Sequence, residues 1–378
     1  MARDYVFRLT DALLWLYWGF QIVMKGFAQE SDDTVFLYGL FVIVPLAVLK
    51  IALGRYSFQT IILTVLMVAF AAISYITIKN TTVPILVITL ITFKGYEVDS
   101  IFKYCWKIRG AAFLVHISLC FAGIMDIGPY YMEAQDRMRY TFGYSHPNLA
   151  HAELFIIIVY YFLARKGRLK WFEYVAIMAL NVGFFLFTDS RTGMLAISML
   201  LFFNILAHFR LYRFFASHIG KYSYIIFAVL TYVLSVNYYN IGFIQKFGTF
   251  SSRFQTAYYL QRASSFTLFG RNLHYSTDLG YMNSLFNYGV IFFVVLIVGH
   301  TLLLRRAIND KKWFFASLMI VISIYYILEH FSDSVLYSPL WLYFGEMIFD
   351  ESRTPIIRRV DGDIRIRLPN IKIRRKLR

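Results

Sequence analysis

Long apolar runs, nearly free of charge, are the feature that most restricts how this chain can fold. The stretch Ile61–Ile76 is apolar almost throughout and has no polar stripe at helical spacing. About twelve such runs can be read, at approximately 9–25, 34–52, 57–78, 81–93, 110–126, 150–164, 171–188, 192–208, 222–241, 282–304, 313–329 and 338–349, the fourth and the last being short. The hydrocarbon core of a bilayer is about 30 Å thick, which a helix of roughly 17–25 apolar residues crosses. The expected fold is therefore all-α. It is a polytopic membrane protein of about twelve transmembrane helices, with one multi-span domain over 1–352 and a basic cytoplasmic tail at 353–378. Composition agrees: 59% of residues are hydrophobic, 19% aromatic and only 16% charged. A soluble domain carries about 25% charged residues, so a single soluble domain is excluded, as are a disordered chain and a disulfide scaffold. Cys105 and Cys120 have neither a disulfide framework nor metal-ligand spacing. No cleavable signal peptide is expected, because the first run is long and no A-x-A-like site follows it.

The net charge of +16 needs a separate explanation. With twelve spans and both termini inside, 29 of the 38 Lys and Arg residues fall on inner segments and nine on outer ones. That bias is what the positive-inside rule predicts. The basicity is thus mainly a topology signal, and nucleic acid is not an expected partner, since the basic segments are short loops between lipid-soluble helices. The tail reads IIRRVDGDIRIRLPNIKIRRKLR from Ile356, an Ile/Arg alternation of period two suited to lying on anionic headgroups.

The outer side carries two large loops, about 126–149 and 242–281, and two shorter turns, Thr188–Gly193 and Glu329–Pro339. Arg137, Arg139, Arg191, Arg253, Arg262 and Arg271 lie there, against the topology bias. Each has a plain reading, a salt bridge to Asp136, Asp189 or Asp278. As a set they suit a pyrophosphate-bearing lipid, because the guanidinium fork binds phosphate bidentately. His146-Pro147-Asn148 precedes the sixth run: Pro147 can open a helix, Asn148 can bind sugar hydroxyls, and His146 is either a general base or a capping and packing residue. His151 and Glu153 follow at a depth where ionisable groups usually face a cavity. Arg191 opens the eighth run, where the helix dipole adds to its attraction for an anion, and Asp189 is placed to orient it. Glu329-His330 resembles acid/base machinery, although helix neighbours point roughly 100° apart and each can find another partner. His274 is a weaker candidate. His208, His218 and His300 read as interfacial or packing residues, and His116 as buried. No P-loop, dinucleotide fingerprint, H-E-x-x-H or CxxC is present, and Asp361-Gly362-Asp363 lies in the basic tail. No cofactor is expected, and an activated lipid donor would supply the energy.

Four segments carry a family resemblance. RMRYTFGYSHPNLAHAELF (Arg137–Phe155), TDSRTGMLAISML (Thr188–Leu200), FGTFSSRFQTAYYLQRASSFTLFG (Phe247–Gly270) and YMNSLFNYGVIFFVVL (Tyr281–Leu296) resemble, in order and spacing, segments of bacterial Wzy-type polysaccharide polymerases. The resemblance spans approximately 95–345. It implies a C-type helical glycosyltransferase architecture, shared with O-antigen ligases, in the bacterial plasma membrane with the site facing outside. It implies undecaprenyl-pyrophosphate-linked glycans as donor and acceptor, no metal, and a flippase and a chain-length regulator as partners beside membrane lipids. Arg139, Arg191 and Arg253 would then hold the pyrophosphate, while Arg262 and Arg271 are substrate-binding candidates through their place in the outer arginine set. His146 and Asn148 would line the acceptor or catalytic pocket, and Glu329 and His330 would sit where the family often has an acidic or histidine residue. A ligase acting on the same donor remains open, as does a lipid-linked oligosaccharide flippase. Against the flippase stand the lack of an internal repeat and the concentration of polar groups in unequal outer loops. A membrane acyltransferase would rest on His116 alone.

Overall fold

A computed structural model describes residues 2–28, 34–53, 57–132, 137–246, 248–273 and 277–349, together with the backbone of two tail strands at 356–360 and 363–367. Asp136, His274 and the side chains of the tail lie outside the described residues. The described chain is all-α apart from two small hairpins. Its helices are α1 (Ala2–Gly26), α2 (Thr34–Leu53), α3 (Phe58–Ile78), α4 (Thr82–Thr92), α5 (Val98–Phe121), α6 (Pro147–Ala164), α7 (Trp171–Thr188) and α8 (Arg191–Leu206). Then come α9 (Arg210–His218), α10 (Ser223–Val236), α11 (Gly248–Ala263), α12 (Gly280–Phe286), α13 (Gly289–Asn309), α14 (Trp313–Tyr325) and α15 (Leu340–Ile348). Strands β1 (Pro129–Met132) and β2 (Arg137–Tyr140) pair antiparallel between α5 and α6, as do β3 (Ile356–Val360) and β4 (Asp363–Arg367) in the tail.

Each expected apolar run falls on a helix except that at 282–304, which is divided between α12 and α13. Four helices, α3, α6, α7 and α13, are long and apolar enough to cross a membrane unaided among the described residues, and α8 with α9 makes a fifth candidate bent by 111°. Others, such as α4 and α14, are apolar but shorter. The packing separates a core from a periphery. Within α6 72% of the apolar window is buried, against 22% in α3 and in α7. Leu66, Ile76 and Leu186 on these outer helices are 61%, 69% and 75% exposed. A water-facing surface rarely carries continuous apolar faces of this kind, whereas hydrocarbon imposes no penalty on them. α6 is enclosed by α5, α7 and α8, and α14 by α8, α10 and α13.

Three features depart from the sequence reading. Helix α5 begins at Val98, well before its expected apolar run at 110. Arg109, which the charge pattern places in an inner loop, is instead fully buried. Its guanidinium grips Glu153 of α6 bidentately, with Nη2 to Oε2 at 2.6 Å, donates to the Leu336 carbonyl, and lies 5.5 Å from the Tyr160 ring and 5.2 Å from that of Tyr337. Pairing removes most of the penalty that would keep a lone arginine out of the interior. Helix α9 turns off α8 with Leu211, Phe214 and Phe215 exposed beside Arg210 and Arg213. That arrangement suits a helix lying in the headgroup plane. Finally, the long segment between α10 and α12 contains α11 and closes where Gly270 meets Gly289. Both have positive φ (81° and 88°), and a Cβ on either would collide with backbone of the other strand of chain. Amide-to-carbonyl bonds from Arg271 to Asn287 (3.1 Å) and from Val290 to Thr267 (2.9 Å) fasten the closure.

Candidate functional site

The site grows from the ends of three helices. His146 stands in extended conformation at the N-cap of α6, and its Nδ1 accepts the Asn148 N–H at 3.1 Å. Pro147 follows at the first helical position, where a missing N–H costs nothing. Hairpin β1–β2 lays Arg137 and Arg139 alongside. Its register sets Tyr130 opposite Arg139, and the Tyr130 ring meets the His146 ring edge-on at 5.5 Å. Arg139 Nε donates to the Thr188 carbonyl at 2.8 Å and Nη2 to Asn148 Oδ1 at 2.7 Å. Both acceptors are neutral. Arg137 pairs with Asp189.

Between α7 and α8 the chain turns in two residues. Asp189 takes the left-handed conformation (φ 44°), and the Ser190 side chain caps α8 by accepting the Gly193 N–H at 3.3 Å. Each residue of the Ser190-Arg191-Thr192-Gly193 string then has a separate task. Arg191 is exposed and makes no hydrogen bond or ion pair among the described residues. Thr192 Oγ1 donates to Glu329 Oε1 at 2.8 Å. Gly193 lets α8 approach α6, since a Cβ there would fall 2.6 Å from the His151 ring. That ring sits between Thr188 and Asn181, 2.9 Å from each.

The third contribution comes from α11 and the segment after α14. Arg253 Nη2 reaches Glu329 Oε1 at 3.0 Å, Nε reaches Asp278 Oδ2 at 3.3 Å, and Nη1 donates to the Leu328 carbonyl. Glu329 is 5% exposed. Its Oε1 receives both Arg253 and Thr192, while its Oε2 takes no hydrogen bond among the described residues. Burial pushes its carboxyl above the usual carboxylate range; Arg253 opposes the shift and Asp278 adds to it.

His146 joins the two halves, lying within electrostatic reach of Arg139 on one side and of Asp278 and Arg253 on the other. Burial, then Arg139, pull its imidazole below the ordinary value, so the ring is neutral at pH 7. A neutral ring whose Nδ1 accepts a backbone N–H carries its proton on Nε2. In this geometry His146 donates and has no free lone pair with which to accept a proton. Arg139 is likewise held below its ordinary value, by burial and then by Arg137.

Of the residues expected from sequence, the structure brings together Arg139, His146, Asn148, Arg253 and Glu329, with Arg191 at the edge beside Thr192. The bland reading of the arginines holds for two of them, Arg137 with Asp189 and Arg253 with Asp278. Arg262 lies nine residues beyond Arg253 on α11, half a turn out of phase at 3.6 residues per turn, and stacks over Tyr258 at 4.9 Å. Arg271 is bound to Ser265 within the loop closure. Neither is part of the cluster. His330 neighbours Glu329 but does not bond it; its Nδ1 is buried with no hydrogen-bond partner among the described residues, and its ring stacks on Phe331 at 5.9 Å. Thr192 and Asp278 acquire roles that sequence reasoning did not give them. Thr192 was legible only as part of a short polar turn, and Asp278 only as a neutralising charge. No group of three His, Cys, Asp or Glu side chains fit to hold a metal ion converges among the described residues. No family model, no curated protein and no solved structure matches the chain.

Proposed function

We propose that the chain is a membrane glycosyltransferase of the C-type helical class. In this reading twelve spans place both termini in the cytoplasm. The enzyme joins undecaprenyl-pyrophosphate-linked oligosaccharide repeat units into a surface polysaccharide at the outer face of the bacterial plasma membrane. The observation that carries this reading is Glu329: a buried carboxylate anchored through one oxygen by Arg253 and Thr192 and open at the other, in a site where Arg139 and Arg191 form no ion pair with a carboxylate among the described residues. Glu329 Oε2 takes the proton from a sugar hydroxyl of the incoming repeat unit. The hydroxyl oxygen attacks the anomeric carbon of the donor, the bond to pyrophosphate breaks, and its electron pair leaves on the pyrophosphate oxygen. Arg139 and Arg191 receive that negative charge, a preorganised electrostatic role. Asn148 and the Nε2–H of neutral His146 hold acceptor oxygens. Arg253 and Thr192 position Glu329. A flippase would deliver the lipid-linked units and a chain-length regulator would limit the product.

The test is a strain lacking the gene, complemented with Arg191→Ala or Glu329→Gln and examined for lipid-linked glycan. Both variants reach the membrane and accumulate single lipid-linked repeats. In Glu329→Gln polymer falls by about 100-fold or more, the scale of a lost general base. Long lipid-linked chains in place of single repeats identify a ligase, and repeats trapped on the inner leaflet identify a flippase. Normal polymer in both variants sinks the site assignment.

A further inference from the structure

The far end of the same bundle holds a cavity of about 900 Å³, formed where α6, α13 and α15 end and where α5 and α14 begin. It is separated from the site by the full length of α6, whose 18 residues span about 27 Å at 1.5 Å per residue. Pockets of this volume accept a whole organic ligand. The floor is apolar and aromatic, built from Phe162, Leu163, Leu303, Phe315, Leu318 and Met347. Both signs of charge line the rim, five Lys or Arg against four Asp or Glu, and two of the carboxylates lie beside a lysine. Asp99 accepts from Lys166 Nζ at 2.9 Å and from the Tyr343 hydroxyl at 2.7 Å, and Asp310 lies 3.9 Å from Lys312. Two lining bases, Arg168 and Lys311, make no side-chain hydrogen bond or ion pair among the described residues. They belong to the two loops that border the mouth, where Gly167 (φ 70°) and Lys311 itself (φ 57°) turn the chain sharply.

We propose that this cavity is a binding site for a phospholipid, with its phosphate between Arg168 and Lys311 and its acyl chains on the apolar floor. The two unpaired cations at the mouth, with one more base than acid around the rim, suit an anionic headgroup, and Arg and Lys together satisfy several phosphate oxygens. An apolar floor of this size would have nothing to gain from a free phosphate ion, while acyl chains remove it from water. Basic pockets between membrane helices take anionic headgroups by the same logic. In the orientation proposed above the bordering leaflet is the inner one. The lipid site itself does not depend on the enzymatic reading, and its test uses no activity.

Full-length protein, purified and delipidated in detergent, is titrated with dioleoyl phosphatidylglycerol and followed by native mass spectrometry. One tightly held lipid is expected. Arg168→Gln combined with Lys311→Gln weakens its binding at least tenfold, and Leu303→Trp, which fills the floor, weakens it comparably. Glycerol phosphate, the headgroup without chains, does not displace the lipid at equal concentration. Unchanged affinity in the rim double variant overturns the proposal. Displacement by glycerol phosphate does so too, because the cavity then recognises a soluble phosphate. Both rim residues are exposed, so the double variant folds and keeps the test decisive even where the tryptophan does not.

Discussion

In the proposed reaction, Glu329 is prepared for proton transfer by its neighbours. Burial alone favours the neutral acid, while Arg253 favours the carboxylate. Since its carboxyl lies above the ordinary range, the base is lost by protonation as pH falls through that raised value. The acid limb of the pH–rate profile is therefore expected above the range of a free glutamate. Arg253→Gln removes the opposing charge and should move that limb to higher pH, whereas His146→Gln should leave it in place, since the imidazole accepts no proton in the step. A limb that follows His146 instead would transfer the base role to the histidine. The sequence marks Glu329 and His330 as a pair but does not show that their side chains diverge, nor that Glu329 reaches back to Thr192, 137 residues earlier in the chain. Arg253 presents the converse case. A guanidinium reads as a phosphate ligand until its three nitrogens are found on Asp278, Glu329 and a carbonyl.

At the scale of elements, the α7–α8 turn gives four consecutive residues four different settings. Ser190 and Gly193 serve the fold, Thr192 bonds Glu329, and Arg191 is the proposed substrate contact, so these roles separate experimentally. Ser190→Ala should reduce stability by about 1 kcal/mol, the usual value of an N-cap hydroxyl. Gly193→Ala should reduce it by about 1–3 kcal/mol, because the methyl presses on the buried His151 ring. Arg191→Ala should leave the unfolding midpoint unchanged while removing polymer. Thermal unfolding in detergent reads all three, and a midpoint lowered by Arg191→Ala would show that this residue supports structure. The turn itself is legible in sequence because Asp, Ser and Gly supply its conformations. Hairpin β1–β2 is not. PYYM and RMRY are too short for period-two patterning to stand out, and the pairing that puts Tyr130 beside Arg139 is a tertiary fact.

Over the whole molecule, the placement of helices follows closely from hydropathy, because lipid leaves the backbone no other way to satisfy its hydrogen bonds along a run. Hydropathy does not tell which helices are central. α6 and α7 are equal in length and similar in hydropathy (1.4 and 1.5), yet 72% of one and 22% of the other is buried. What distinguishes α6 is Glu153 and its partner Arg109, which bind it to α5. The pair also bears on how the protein is made. Arg109 and Glu153 stand on consecutive helices, and each charge entering lipid alone would oppose insertion by roughly 2.5–3.5 kcal/mol. Presented together, they enter as a neutral unit. Chains stalled during synthesis before Glu153 emerges should thus leave α5 extractable by alkaline carbonate, and chains stalled after α6 should resist extraction. Resistance at the earlier length would show that α5 inserts unaided. On this account the buried pair sets a timetable: the insertion channel must keep α5 waiting until α6 arrives, and the two are released to the bilayer as one hairpin.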